Sequence, residues 1–138
     1  MKKNKLQNIL GVYLILSHFG IIVLIFILFL PMNDFSQLTT TLGLIVPMFS
    51  LYTTAIIRFI VKNMENTINS EKSVSKMFTF ISFLIPSLFV VYLSSIIVLK
   101  TYNFALSDFD DFTIIIGLSE SFFGIYVGQI IVNLYEES

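Results

Sequence analysis

Gly117-Leu118-Ser119-Glu120-Ser121-Phe122-Phe123-Gly124-Ile125-Tyr126-Val127-Gly128-Gln129 lies inside the last of four long apolar runs and holds the one acid found within any of them. Glycines at 117, 124 and 128 flank that acid at helical spacing. A run of about 18 apolar residues signals a membrane span, and spanning takes roughly 20. Working outward, the runs at 112–134, 78–99, 42–61 and 9–30 all meet that length. In lipid every backbone polar group must be satisfied within the chain, which favours helices. The expected fold is therefore all-α: a polytopic membrane protein of four transmembrane helices, forming one domain over 1–138.

The totals agree. The 138 residues are 56% hydrophobic and 12% charged, roughly half the charge of a soluble domain. There is no cysteine, which excludes disulfides and thiolate metal sites. A net charge of −1 gives no basic surface for direct nucleic-acid binding. No Ser-His-Asp set, paired carboxylate, phosphate loop or metal-ligand cluster is present, so no enzyme activity, cofactor or metal is expected.

Lys2, Lys3 and Lys5 precede the first run. That run is too long for the apolar core of a secretion signal, and no small-x-small site precedes Pro31, so it is expected to stay as a span. Pro31 to Thr40 is a turn, with Thr39 to Thr41 expected to cap the second span. Lys62 to Lys76 is a hydrophilic connector, helical where it continues that span. Lys100 to Asp111 is a loop with Asp108, Asp110 and Asp111. Lys2, Lys3, Lys5, Arg58, Lys62, Lys72 and Lys76 fall on one side of the membrane, against Lys100 on the other. Basic residues mark the inner side, so both termini are expected in the cytoplasm. The chain stops soon after the fourth run, and no tail domain is expected.

At 1.5 Å of rise per residue, Glu120 lies roughly 12 Å in from Phe112. A charge at such depth costs at least about 2.5 kcal/mol by insertion scales, so the side chain must face protein or water. His18, the only histidine, lies roughly 14 Å in from Ile9, at a similar depth. Glu120, His18 and Tyr126 are the candidate intramembrane ion or proton site. The alternative for each is a structural hydrogen bond between helices.

Gly117, Ser121, Gly124 and Gly128 line one side of the fourth span. Gly43, Pro47, Ser50 and Thr54 line the second, ending at Arg58. Small residues at this spacing let helices approach closely, so the two faces are expected to meet each other or their copies in a homo-oligomer. Pro47 and Pro86 kink their spans and free carbonyls for Ser50, Ser82 or Ser87. Gln129 and Asn133 extend a second polar line from Ser119 and Tyr126. The pattern Gly43-Leu44, Phe49, Tyr52 returns as Gly117-Leu118, Phe123, Tyr126. That is either a duplicated hairpin or chance in a restricted alphabet.

Glu120, Gly124 and Tyr126 resemble the last helix of rotary ATPase proteolipids. The tyrosine is six residues after the acid rather than five, and the first span lacks that family's dense glycines, so the fold is not carried over. The whole layout, with the segment Glu120-Ser-Phe-Phe-Gly-Ile-Tyr126, resembles the KwaA family, the small four-span membrane proteins of the Kiwa anti-phage system. That resemblance implies a homo-oligomeric membrane sensor of phage attack working with a separate cytoplasmic effector, KwaB-like. The leading expectation is thus a sensor or scaffold that recruits a cytoplasmic partner through Arg58, Lys62, Lys72 and Lys76. The alternatives are an ion or proton channel or transport subunit using Glu120, and a holin-like pore-forming toxin.

Overall fold

A computed structural model describes residues 2–65, 74–102, 104, 106, 108–131 and 134. Four helices account for most of them: α1 (Lys3–Phe29), α2 (Phe35–Glu65), α3 (Lys76–Thr101) and α4 (Phe109–Ile131). All four are long and apolar enough to cross a membrane. The protein is an all-α, four-helix chain of membrane-spanning character.

The second, third and fourth helices each begin where a short polar side chain satisfies the backbone, whereas α1 starts after Lys2 with no side-chain cap bond. After a tight turn at Leu30–Met32, Asn33 takes the left-handed conformation with φ 55°, which asparagine tolerates better than most residues. The Asp34 carboxylate then accepts from the Gln37 amide at 3.1 Å and opens α2. This corrects the expected cap at Thr39 to Thr41: those threonines lie inside the helix. Thr39 donates to the Phe35 and Ser36 carbonyls, and Thr41 to the Gln37 carbonyl. Asp34 wins because it directly follows the chain reversal at Asn33. Ser75 opens α3 by accepting from the Phe78 amide at 3.1 Å. Asp108 opens α4, and Asp110 and Asp111 sit in its first turn, where the helix dipole favours acids. At the far end α2 runs on to Glu65, beyond the apolar run; Lys72 lies outside the described residues.

The helices alternate in direction and pack as a ring in the order α1, α2, α4, α3, so α1 and α4 face each other across the diagonal. Two apolar cores are stacked along the bundle. One joins Leu6, Leu10 and Leu14 of α1 to Tyr52, Ile56 and Phe59 of α2 and Phe123, Val127 and Ile130 of α4. The other joins Ile21, Ile25 and Phe29 to Leu38 and Ile45, to Leu93 and Ile97 of α3, and to Phe112 and Ile116. Outside, Leu16, Leu51, Val91 and Phe122 are exposed, as lipid-facing positions must be. Lipid tails are as apolar as these side chains, so packing rather than hydrophobic transfer holds the bundle together.

The small-residue faces do not meet each other within one chain. Gly43, Pro47, Ser50 and Thr54 point out of the bundle. Gly117 packs instead against Leu44, and Gly124 against Met48, because the core stripe of α2 runs through Ile45, Tyr52 and Ile56. The Ser50, Ser82 and Ser87 hydroxyls donate to the Val46, Phe78 and Phe83 carbonyls, one turn back on their own helices. The carbonyls freed by Pro47 and Pro86 are those of Gly43 and Ser82, four residues earlier; these serines bond elsewhere.

Candidate functional site

The gap between the two cores is where the polar chemistry sits. On α1, His18 follows Leu14 and precedes Ile21 in one continuous buried stripe. On α4, Glu120 falls between Ile116 and Phe123 in the same way. The two side chains meet across the bundle diagonal, with His18 Nε2 3.7 Å from Glu120 Oε1. Both are buried, at 0% and 2% exposure. The distance is within ion-pair range and beyond a hydrogen bond.

Aromatic rings from the other helices enclose the imidazole. Tyr52 of α2 meets it edge-on at 5.0 Å. Phe123 of α4 lies nearly parallel to it at 5.3 Å, Phe89 of α3 at 5.8 Å and Phe49 of α2 at 6.2 Å. Phe89 and Phe123 stack on one another at 3.9 Å. Together these four rings form a cage around the imidazole.

Neither ring nitrogen of His18, neither oxygen of Glu120, nor the Tyr52 hydroxyl has a hydrogen-bond partner among the described residues. Each such atom costs about 1–3 kcal/mol when buried. A cluster of them at one level is costly to maintain and singles the layer out from the packing around it. Chemically, one proton on the carboxyl leaves the pair neutral, and the same proton on the imidazole makes an ion pair. Gaining or losing a further proton changes the charge of the bundle centre.

Polar atoms continue from the pair mainly toward the end that bears the N-terminus of α1. Tyr52, Thr53, Ser82 and Gln7 are on that side, and the Gln7 side-chain amide donates to the Leu134 carbonyl. Toward the other end stand Ile21, Ile25, Ile45, Leu93, Ile97, Ile116 and Phe112. Thr41 and Lys100 are buried toward that end as well, and Thr41 is bonded to its own helix as Ser82 is.

Glu120 and His18 therefore come together, while Tyr126 stands apart. Its hydroxyl donates to the Ile81 carbonyl at 3.2 Å, in the α3–α4 seam. Ser119 donates to the Ile115 carbonyl, and its hydroxyl lies 3.4 Å from that of Tyr92. Gln129 is exposed, and Asn133 is outside the described residues. Tyr52 and the rings at 49, 89 and 123 were not foreseen as part of the site. The recurring Phe49/Tyr52 and Phe123/Tyr126 pattern held the signal, since both phenylalanines lie against His18. Arg58 and Lys76 are exposed near the end that holds the N-terminus. No group of three or more His, Cys, Asp or Glu side chains suited to a metal occurs among the described residues. Comparisons with protein-family models, with curated proteins and with solved structures find no match to this chain.

Proposed function

We propose that this protein is a proton-handling membrane subunit, in which the His18–Glu120 pair binds and releases a proton as part of an ion- or proton-transport step. The supporting observation is the pair itself: two titratable side chains, 3.7 Å apart, buried and without a hydrogen-bond partner among the described residues, at the level between two apolar cores. A structural brace would use its hydrogen-bonding capacity, whereas a group that exchanges protons keeps it in reserve. Tyr52 and the polar atoms beyond it favour exchange with the end bearing the N-terminus. Purified protein in liposomes carrying a pH-sensitive dye tests this. A pH gradient should dissipate faster with the native chain than with Glu120→Gln or His18→Gln. Equal rates for all three would end the proposal.

A second reading, membrane sensor and scaffold in the bacterial inner membrane, rests on the exposure of Arg58 and Lys76 near one end of the bundle. A KwaB-like cytoplasmic effector would dock there, and the outward Gly43, Pro47, Ser50 and Thr54 face would meet a second copy. Tight liposomes together with a soluble protein that co-purifies only while Arg58 and Lys76 are intact would favour it.

A further inference from the structure

The α3–α4 seam is the loosest of the four in the helix ring, and a cavity of about 340 Å³ opens there, a size that small-molecule sites share. Phe89 and Tyr92 of α3 line it with Ser119, Phe122, Phe123 and Tyr126 of α4. The Phe89 and Phe123 rings stack on each other at 3.9 Å and lie against His18 behind them. The stack therefore separates this cavity from the His18–Glu120 pair.

Its free hydrogen-bonding capacity comes from one pair of hydroxyls. Ser119 Oγ lies 2.6 Å from the Ile115 carbonyl oxygen and 3.4 Å from the Tyr92 hydroxyl. A serine hydroxyl has one proton to give, and the short contact to a carbonyl, which can only accept, claims it. Any bond between the two hydroxyls must then use the Tyr92 proton, across a gap longer than O–H···O bonds normally span. Tyr92 is thus a donor with no well-placed acceptor among the described residues. Tyr126, the other phenol here, already donates to the Ile81 carbonyl.

Depth decides what can supply that acceptor. Tyr92 precedes Thr101, the last residue of α3, by nine positions, which sets it about 14 Å in from that end, near the middle of a hydrocarbon core roughly 30 Å thick. Phospholipid headgroups stay at the interface, and an acyl chain in the cavity brings no acceptor. The occupant must be apolar enough to rest at this depth and still carry an oxygen that accepts. Tyr92 and Phe122 pair with no other ring among the described residues, which leaves them for edge-on or offset contacts with a ring. A quinone head meets both demands: it is a flat apolar ring whose carbonyls accept without donating. An alcohol or amine would bring a donor needing an acceptor of its own.

We propose that the α3–α4 cavity binds the head of a membrane quinone, which enters from the lipid between the two helices and accepts a hydrogen bond from the Tyr92 hydroxyl. The site stands whether or not the His18–Glu120 pair moves protons.

The test is competition. Full-length protein in lipid nanodiscs is labelled with a photoreactive azidoquinone, and menadione is titrated against the label beside 2-methylnaphthalene, the same ring skeleton without carbonyls. Concentrations are counted in the membrane phase. Menadione should protect saturably, and the hydrocarbon about fivefold more weakly, the worth of one neutral hydrogen bond. Tyr92→Phe should weaken menadione by about the same factor and bring the two compounds level. Ser119→Ala removes only the poor acceptor of Tyr92, so it should bind menadione at least as well as the native chain. Absence of saturable protection overturns the proposal. So does equal protection by both compounds in the native chain, the behaviour of a slot for acyl chains. A loss in Ser119→Ala as large as that in Tyr92→Phe also overturns it, because the two hydroxyls would then be a structural pair.

Discussion

At the scale of single residues, the pair and its cage set different demands on their two members. His18 is both a charge partner and a packing unit, touching four rings. Removing one partner of a buried pair costs about 3–5 kcal/mol, and His18→Ala also leaves a hole among those rings. Glu120→Gln keeps the shape and removes the charge, so its cost should stay within about 1–2 kcal/mol. Unfolding in mixed micelles should rank native, Glu120→Gln and His18→Ala in that order; equal loss in both variants would contradict the geometry. The similar depth of His18 and Glu120 was legible beforehand from helical rise; that they meet each other was not, because a separate hydrogen bond to a neighbouring group was an equally open reading for each. Tyr126 was misplaced for a rotational reason. Six residues turn a helix through about 600°, which sets Tyr126 about 120° around from Glu120. Depth alone could not separate it from Tyr52, which lies on the buried stripe of α2 with Ile45, Ile56 and Phe59.

At the scale of elements, helix starts and close approaches carry the predictions. Asp34 caps α2 directly after Asn33 at φ 55°. Asp34→Ala should cost about 1 kcal/mol, and Asp34→Asn should be near neutral because its carbonyl oxygen still accepts. Denaturation of the two variants side by side checks this. Thr39→Ala, at the position first read as the cap, should be nearly silent. Where α4 nears α2, a Cβ at Gly124 would overlap the Met48 side chain. That methionine is flexible and borders a cavity with Leu51 and Gly128. Gly124→Ala should therefore change stability by less than about 1 kcal/mol, since alanine's helix preference offsets the shift of Met48. Gly124→Leu should lose about 1–3 kcal/mol. The glycine spacing in α4 announced a close approach correctly. It could not say which α2 stripe would fill it, because Leu44 and Met48 compete there with the small residues one step around the helix.

At the scale of the whole molecule, the ring order α1, α2, α4, α3 decides what the pair connects. Four apolar runs made the helix count legible, but periodicity gives no neighbours, and the diagonal contact of α1 with α4 emerges only in three dimensions. Alternating helix direction places Lys3, Arg58 and Lys76 at one end of the bundle and Asp34, Lys100 and Asp108 at the other. The basic end should face the cytoplasm, since lysine and arginine near span ends set orientation. The absence of cysteine makes this measurable without background. Ser36→Cys and Lys76→Cys sit on exposed positions at opposite ends. In intact cells an impermeant maleimide should label position 36 and spare position 76, and permeabilised cells should expose both. The reverse pattern would invert the molecule. It would also turn the polar atoms leading from Tyr52 toward the outside, so the direction of proton exchange, and with it the end at which a cytoplasmic partner could bind, would invert as well.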